Sequence, residues 1–416
     1  MSAIATAAIA AVLIGLLCGF YGTFVVVRRM ALTGDMISHA VLPGVVGALV
    51  WSGTRNPLVV LTCAAAAGLA GSFAMRAILA HTRLKPDAAL ALVLSVFFAI
   101  GVALVSMFQP SGAMAFLYGQ IAALDGRDLA FLTTVTALTF ALAPLVFRSL
   151  TLVSFDPAFA RILGLPVRVI ETAFYAALTV AIVVAMQAVG VVLVTAMLVT
   201  PAAAARFCTP TLARSCGIAC ATGAAGALAG VGISALQSGT PTGPLIALCL
   251  ATFFAIAALF GPHHGRVPAW IRRSRNRRRI ESEDFLKTLW HGERRIPKTP
   301  QPKPTPAVLR KLAADGMIAP NTASPTLTPS GRGAAASLVR AHRLWETYLT
   351  DVANYPPDHV HEEAERAEHW IDEARMREID SRLGTPDHDP HGSPIPPPTR
   401  PTYPPPTRDP GKETGA

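Results

Sequence analysis

Two sets of carboxylates and imidazoles define the chemistry open to this chain. Asp35 and His39 stand four residues apart in Gly34-Asp35-Met36-Ile37-Ser38-His39-Ala40-Val41-Leu42-Pro43-Gly44, within an otherwise apolar region. That spacing puts both on one helix face, as two ligands of one metal ion would require. A carboxylate at mid-membrane depth costs roughly 2.5 to 3.5 kcal/mol on insertion scales, which marks such a residue as part of an ion or substrate path. The same spacing also suits a helix end at the membrane surface, with Asp35 as a cap and His39 among the headgroups. The second set lies far along the chain. His342 and Glu346 are at i and i+4, as are His361 and Glu365, and Glu368 and His369 continue that stripe. Imidazole alternating with carboxylate suits Mn(II), Fe(II) or Zn(II), although a solvated helix face reads the same way.

The elements that position these residues differ in kind. The chain is 52% hydrophobic and 15% charged, and its apolar residues fill roughly the first 260 positions before stopping at Gly261-Pro262-His263-His264. Such a composition excludes an ordinary soluble protein. All six cysteines (Cys18, Cys63, Cys208, Cys216, Cys220 and Cys249) fall in the apolar part, which excludes a disulfide scaffold. Cys216 and Cys220, at i and i+4, could hold a soft metal, but their Ala, Gly and Thr neighbours favour close helix packing. Met1 to Ala10 lacks the basic start and cleavage site of a signal peptide. The sequence contains no Gly-x-x-x-x-Gly-Lys-Ser/Thr phosphate loop, so no nucleotide site is expected.

Nine spans of suitable length can be drawn: Ala3 to Val27, Met36 to Ser52, Pro57 to Ala80, Ala88 to Phe108, Asp128 to Arg148, Arg168 to Ala188, Val189 to Phe207, Leu212 to Leu236 and Pro241 to Phe260. The second is interrupted by Pro43 and Gly44, and interrupted helices are where transporters place ion sites. With the C-terminus inside, inner loops carry Arg28, Arg29, Arg76, Arg83, Lys85, Arg148, Arg161, Arg168, Arg206 and Arg214, against Arg55 and Arg127 outside. This bias predicts an outer N-terminus and an inner C-terminus. In the inner loop Phe155 to Pro166, Asp156 can cap a short helix that starts at Pro157, carries Ala160 and Arg161, and ends at Gly164. Such a helix suits docking to a partner or lying on the membrane.

Three stretches together resemble the permease subunits of the manganese, zinc and iron ABC importers: Gly34 to Gly44, Phe155 to Pro166, and Val189-Gly190-Val191-Val192-Leu193-Val194-Thr195-Ala196-Met197-Leu198-Val199-Thr200-Pro201-Ala202-Ala203. The resemblance covers about the first 260 residues. It implies that Asp35 and His39 line the metal path and that Asp156, Pro157, Ala160, Arg161 and Gly164 belong to a helix that contacts a separate ATPase subunit. It also implies an extracytoplasmic metal-binding protein, a second permease subunit, identical or related, and the inner membrane of a prokaryote.

After the last span, Arg266 to Arg279 is a basic run beside Trp270, suited to anionic lipid; nucleic-acid contact or a protease-sensitive hinge are alternatives. Helices are expected at Glu281 to His291, Ala307 to Asp315, Gly331 to Thr350 and Asp358 to Arg382, with turns or short strands between Met317 and Thr328. From Pro390 onward the chain is rich in proline and is expected to be extended or disordered. The expected divisions are a membrane domain over 1–262, a basic linker over 263–280, a sensor-like domain over 281–386 and a tail over 387–416.

Leu327-Thr328-Pro329-Ser330-Gly331, Arg340 to Glu346, Val360 to His369 and Asp389-Pro390-His391-Gly392-Ser393-Pro394-Ile395-Pro396 resemble the metal-dependent repressors of the diphtheria-toxin-repressor and manganese-repressor family. The resemblance implies a primary metal site of Asp284, Glu365, Glu368 and His369 and an ancillary site of His342, Glu346 and His361. Its oxygen ligands lean toward manganese, with iron or zinc as alternatives. Lys287 departs from the carboxylate of the manganese-responsive branch, against a paired-metal site. Where the family places a helix-turn-helix, Arg294 to Pro306 is short and holds Pro297, Pro300, Pro302, Pro304 and Pro306, so specific DNA binding is expected to be weak or absent.

The fold expected is therefore an all-α polytopic membrane protein of about nine transmembrane helices, followed by a mainly helical, degenerate winged-helix-like metal-sensing domain. The function expected is the permease subunit of an ABC-type importer of a divalent transition metal, itself not an enzyme. A membrane-tethered or released metal-dependent transcription regulator is the alternative, and a permease with a vestigial tail a third reading.

Overall fold

The structure is a computed structural model and describes residues 3–52, 57–108, 124–236, 241–294, 304–319 and 325–398. Arg55, Pro297, Pro300, Pro302 and residues 399–416 of the expected tail lie outside the described residues. The chain divides into two compact units, 1–268 and 269–416. Among the described residues the only β-structure is two isolated bridges, Ile318 with Leu327 and His388 with Pro394.

The first unit is built of α1 (Ala3–Val27), α2 (Thr33–Ala40), α3 (Leu42–Ser52), α4 (Pro57–His81), α5 (Pro86–Phe108), α6 (Gly126–Phe155), α7 (Pro157–Ile162), α8 (Val167–Val189), α9 (Val191–Cys208), α10 (Leu212–Leu236) and α11 (Thr242–Phe260). Eight helical stretches among the described residues are long and apolar enough to cross a membrane, with α2 and α3 forming one of them. Of the nine spans expected, Val189 to Phe207 is the exception. Its apolar stretch, Leu193–Cys208, falls short of that length, and Pro201 lies inside α9.

Small residues decide the packing. A Cβ added to Gly15 would lie 2.5 Å from the backbone of Gly223, and one on Gly19 would lie 2.6 Å from the backbone of Cys220. Helices α1 and α10 therefore meet backbone to backbone, as small-residue seams allow in membranes. Buried Cys216 and Cys220 lie on the seam helix, and the Cys220 thiol donates to the Leu16 carbonyl at 3.4 Å, which supports the packing role expected for them.

Helix α2 packs against α4, α5, α8 and α9, with Met36, Ile37 and Ala40 fully buried. It separates from α3 at Val41. Pro43 has no N–H to donate to the carbonyl of His39 four residues earlier, so the ladder is weakened just after the histidine.

The second unit starts on the long helix α12 (Arg266–Glu293). The expected linker is thus helical from Arg266 and continuous with the helix expected at Glu281 to His291. Helices α13 (Pro306–Ala314) and α14 (Pro329–Asp351) come next. Thr328 caps α14 by accepting from the Gly331 N–H at 3.1 Å. Leu286, Trp290, Val308, Leu312, Ile318, Leu327 and Val339 form the core among these elements.

The helix expected from Asp358 to Arg382 is instead three pieces: a 3-10 turn Pro357–His359, α15 (His361–Ala367) and α16 (Glu373–Arg382). Asp372 starts the last by accepting from the Arg375 N–H at 2.8 Å, so its side chain favours a new N-terminus over continuation. The expected tail is also ordered at its beginning. Arg340 donates to the Pro396 carbonyl and to Asp380, Arg343 donates to the Pro394 carbonyl, and Ile395 is buried. Buried guanidinium groups supply the donors that the carbonyls of this proline-rich segment need.

Candidate metal sites

On α2 the His39 Nε2 lies 3.5 Å from an Asp35 carboxylate oxygen. The His39 ring stands edge-on to Phe98 of α5, with centroids 4.8 Å apart. Its Nδ1 is buried without a hydrogen-bond partner. The helix spacing thus brings the two expected residues together on an element enclosed by four others.

Helix α7 forms as the sequence requires. Asp156 accepts from the N–H groups of Ala158 and Phe159 at 3.1 and 2.9 Å, and Pro157 occupies the first turn. Gly164, at φ +78°, ends it in the left-handed region that favours glycine. Ala160 is buried with Val153 and Val167, while Phe159, Ile162 and Leu163 are exposed.

Among the described residues of the second unit, side-chain donors gather in three groups, the donor atoms of each lying within 4.8 Å of one another: His342, Glu346 and His361; Asp284, Glu368 and His369; and Glu346, Asp389 and His391. Helix α14 supplies His342 and Glu346 from one face, and His361 starts α15. The His342 Nε2 is 3.1 Å from Glu346 Oε1 and 3.1 Å from His361 Nδ1, and His361 Nδ1 is 2.9 Å from the same oxygen. Burial pushes the Glu346 carboxyl up, but His342 and His361 outweigh it and hold it at about 2.

The end of α15 matters for the second group. Glu368 and His369 come after its last turn and point toward α12. His369 Nε2 is 3.3 Å from Asp284 Oδ1 and 3.9 Å from Glu368 Oε1. Its Nδ1 is 2.7 Å from Glu283, a carboxylate that Arg279 also faces at 3.4 Å. Burial opposes the charged His369 ring, yet the Asp284 and Glu283 carboxylates raise its pKa to about 9. Glu365 is half-buried and outside the three groups, so the four-residue primary set is not brought together.

Lys287 sits between the groups. Its Nζ donates to Glu368 Oε1 and Oε2 at 2.8 and 2.6 Å and lies 3.3 Å from His342 Nδ1. Burial pushes the Glu368 carboxyl up, and His342 and Lys287 more than reverse this, leaving it lowered. His342 is likewise pushed down by burial and raised overall by Glu346 and Glu368.

Glu283, Asp389 and His391 are not among the site residues expected from the sequence. Glu283 and Lys287 share the helix face of Leu286 and Trp290 at i, i+3, i+4 and i+7, so charged residues on an apolar stripe were a readable signal. The donor sets fit a divalent metal in chemistry: oxygen and imidazole nitrogen, hydrogen-bonded behind the ligands by Glu283 and Glu368.

Residues 328–397 match the iron dependent repressor metal binding and dimerisation domain. Residues 1–261 match the ABC 3 transport family. The manganese transport system membrane protein MntC of Bacillus subtilis is 36% identical over 284 residues, 67% of this chain and 65% of that protein. A protein of Chlamydia pneumoniae named "Probable metal transport system membrane protein" is 31% identical over 93% of this chain and 95% of its own length. PsaBC from Streptococcus pneumoniae, solved in complex with Fab, superposes with a TM-score of 0.57 at 31% identity, covering 64% of this chain and 94% of that one. With a helical membrane unit matched from its first residue to Gly261, this multi-pass membrane protein belongs to the ABC 3 transport family.

Proposed function

We propose that the chain is the permease subunit of an importer of a divalent transition metal, with manganese the favoured cargo. The observation that carries this reading is the Asp35–His39 pair on the enclosed, broken helix α2, with a buried imidazole nitrogen left to take a cation. The manganese in the name of the Bacillus subtilis relative agrees with that donor chemistry. Helix α7, with an apolar exposed face of Phe159, Ile162 and Leu163, is the docking point for an ATPase subunit that supplies the energy. An extracytoplasmic binding protein delivers the metal, and a second permease subunit completes the path. The N-terminus faces out, and the unit from residue 269 faces the cytoplasm.

The second unit senses internal metal through its clustered donors and lowers transport when metal is plentiful. Asp284, Glu368, His369, His342, Glu346 and His361 would hold the ion, which supplies a charge that draws their elements together. Radiolabelled manganese and zinc uptake, measured with partner subunits present, tests both parts. Intact chains should take up metal, His39→Ala should abolish uptake, and a chain stopped after Arg279 should lose inhibition by internal metal. Uptake indifferent to His39 would overturn the transport reading. Inhibition that survives truncation would overturn the sensing one.

A further inference from the structure

Helix α7 is joined at both ends to elements that grip one short connector. Its Ala160 is buried together with Val153 at the end of α6 and Val167 at the start of α8, so α7 cannot shift without carrying those ends along. The connector, residues 28–32, leads from α1 into α2, where Asp35 lies in the first turn. Arg28 donates from Nε to Ser154 Oγ of α6 at 3.0 Å, and its guanidinium lies over the Phe174 ring of α8 at 4.7 Å. Beyond it, the Met30 sulfur accepts from the Tyr175 hydroxyl of α8 at 3.3 Å. Between these two grips stands Arg29, at φ +58° in the left-handed region, where a residue with a Cβ is strained. A strained residue between two held ones is suited to absorb a change of direction.

Helix α4, which packs on α2, is tied to the same end of α8. Arg76 donates to Thr172 Oγ1 at 2.5 Å and lies 3.4 Å from Glu171 Oε2. We propose that Arg28 and Arg76 are positioning residues for transport, which carry displacement of α7 to the α1–α2 connector and to α4, and so to the Asp35–His39 pair. The ATPase subunit that docks on α7 thereby moves the metal ligands through two guanidinium groups. This deepens the permease reading and rests on it. Half-exposed polar contacts of this kind add little to stability, so their loss separates coupling from folding.

The full chain is reconstituted in liposomes with its ATPase subunit and binding protein, and Mn(II) uptake and ATP hydrolysis are read on the same vesicles. Arg28→Ala, Ser154→Ala and Glu171→Gln should keep the ATPase subunit bound and hydrolysing, while the Mn(II) carried per ATP falls by about fivefold or more. Melting temperatures of Ser154→Ala and Glu171→Gln should match that of the unaltered chain. Arg76→Glu alone should lower the ratio and the added change Glu171→Arg should restore it, a rescue that a merely structural role would not give. An unchanged ratio in Ser154→Ala or Glu171→Gln overturns the proposal while the permease reading stands. Joint loss of uptake, hydrolysis and melting temperature in those variants does the same, because it makes the contacts structural. An unaltered chain that takes up no Mn(II) ends the permease reading and this proposal with it. Should Arg28→Ala not fold, Ser154→Ala decides, since it removes the acceptor and leaves Arg28 in place.

Discussion

The Nζ of Lys287 stands 2.8 and 2.6 Å from the two carboxylate oxygens of Glu368, and both side chains are almost wholly buried. Removing Lys287 leaves the buried Glu368 carboxylate with the His342 Nδ1, at 2.6 Å, as its remaining close partner. Lys287→Ala should therefore destabilise the second unit by about 3 to 5 kcal/mol in metal-free protein. Hydrogen-exchange mass spectrometry of the full chain reads this as faster exchange along Leu286 to Trp290 and around Glu368. Unchanged protection there would refute the contribution.

The pH dependence of the metal-free unit is set by His369 and Glu346. His369 is raised from 6.5 to about 9, so its stabilisation is fully present below 6.5 and is lost as pH climbs through 9. Glu346 is lowered from 4.5 to about 2, so its stabilisation is present above 4.5 and is lost as pH falls through 2. Between 4.5 and 6.5 both act in full, and exchange protection without metal should peak there. Metal must displace the imidazole protons, so Mn(II) affinity should instead rise with pH and binding should release protons to a weak buffer.

The seam between α1 and α10 leaves no room for a side chain. Gly15→Val would place its Cβ against the Gly223 carbonyl, at 2.5 Å before its methyls are counted. Overpacking of this kind costs about 1 to 3 kcal/mol or more. The variant should lose yield and melt at a lower temperature in detergent, whereas Gly232→Ala, with open space around it, should not.

Helix α7 offers two separable changes. Asp156→Ala removes the acceptor for two backbone N–H groups and should cost about 1 kcal/mol locally, loosening the helix. Ile162→Asp alters an exposed apolar side chain and should leave the fold intact while abolishing co-purification of the ATPase subunit. Retained co-purification would place the docking surface elsewhere.

Arg340 and Arg343 hold the segment that carries His391. Arg343→Ala removes the donor to the Pro394 carbonyl and the neighbour of Asp389, so hydrogen exchange should quicken across Asp389 to Ile395. Unchanged exchange there would show that the turn holds the segment unaided.

Patterns local in sequence were the ones that could be read. Apolar runs located the membrane helices, the Asp156, Pro157 and Gly164 signals located α7, and i,i+4 spacing paired Asp35 with His39 and His342 with Glu346. The expectation of about nine spans differs from the eight long apolar stretches among the described residues only at α9, whose apolar stretch Leu193–Cys208 is short and whose helix contains Pro201. The break after Ala367 was hidden because Glu368 to Asp372 offers no Gly or Pro, only an Asp able to cap a new helix. Lys287, Glu283 and His391 reach their partners across 81, 86 and 45 positions: Glu368, His369 and Glu346. No periodicity encodes contacts of that range. Glu365 shares the stripe of His361 and is half-buried outside the three donor groups among the described residues.

The Gly15–Gly223 contact also bears on how the proposed metal path through the first unit would open. A seam of backbone against backbone has no rotamers to rearrange, so α1 and α10 must travel as one body. Helix α2 lies between two kinds of neighbour: α9, which packs on α1 and α10, and α5, which meets it through Phe98 and His39. On the proposed permease reading, the hinge for alternating access would belong on the α5 side, where one aromatic edge can swing away from the imidazole while the glycine seam stays shut.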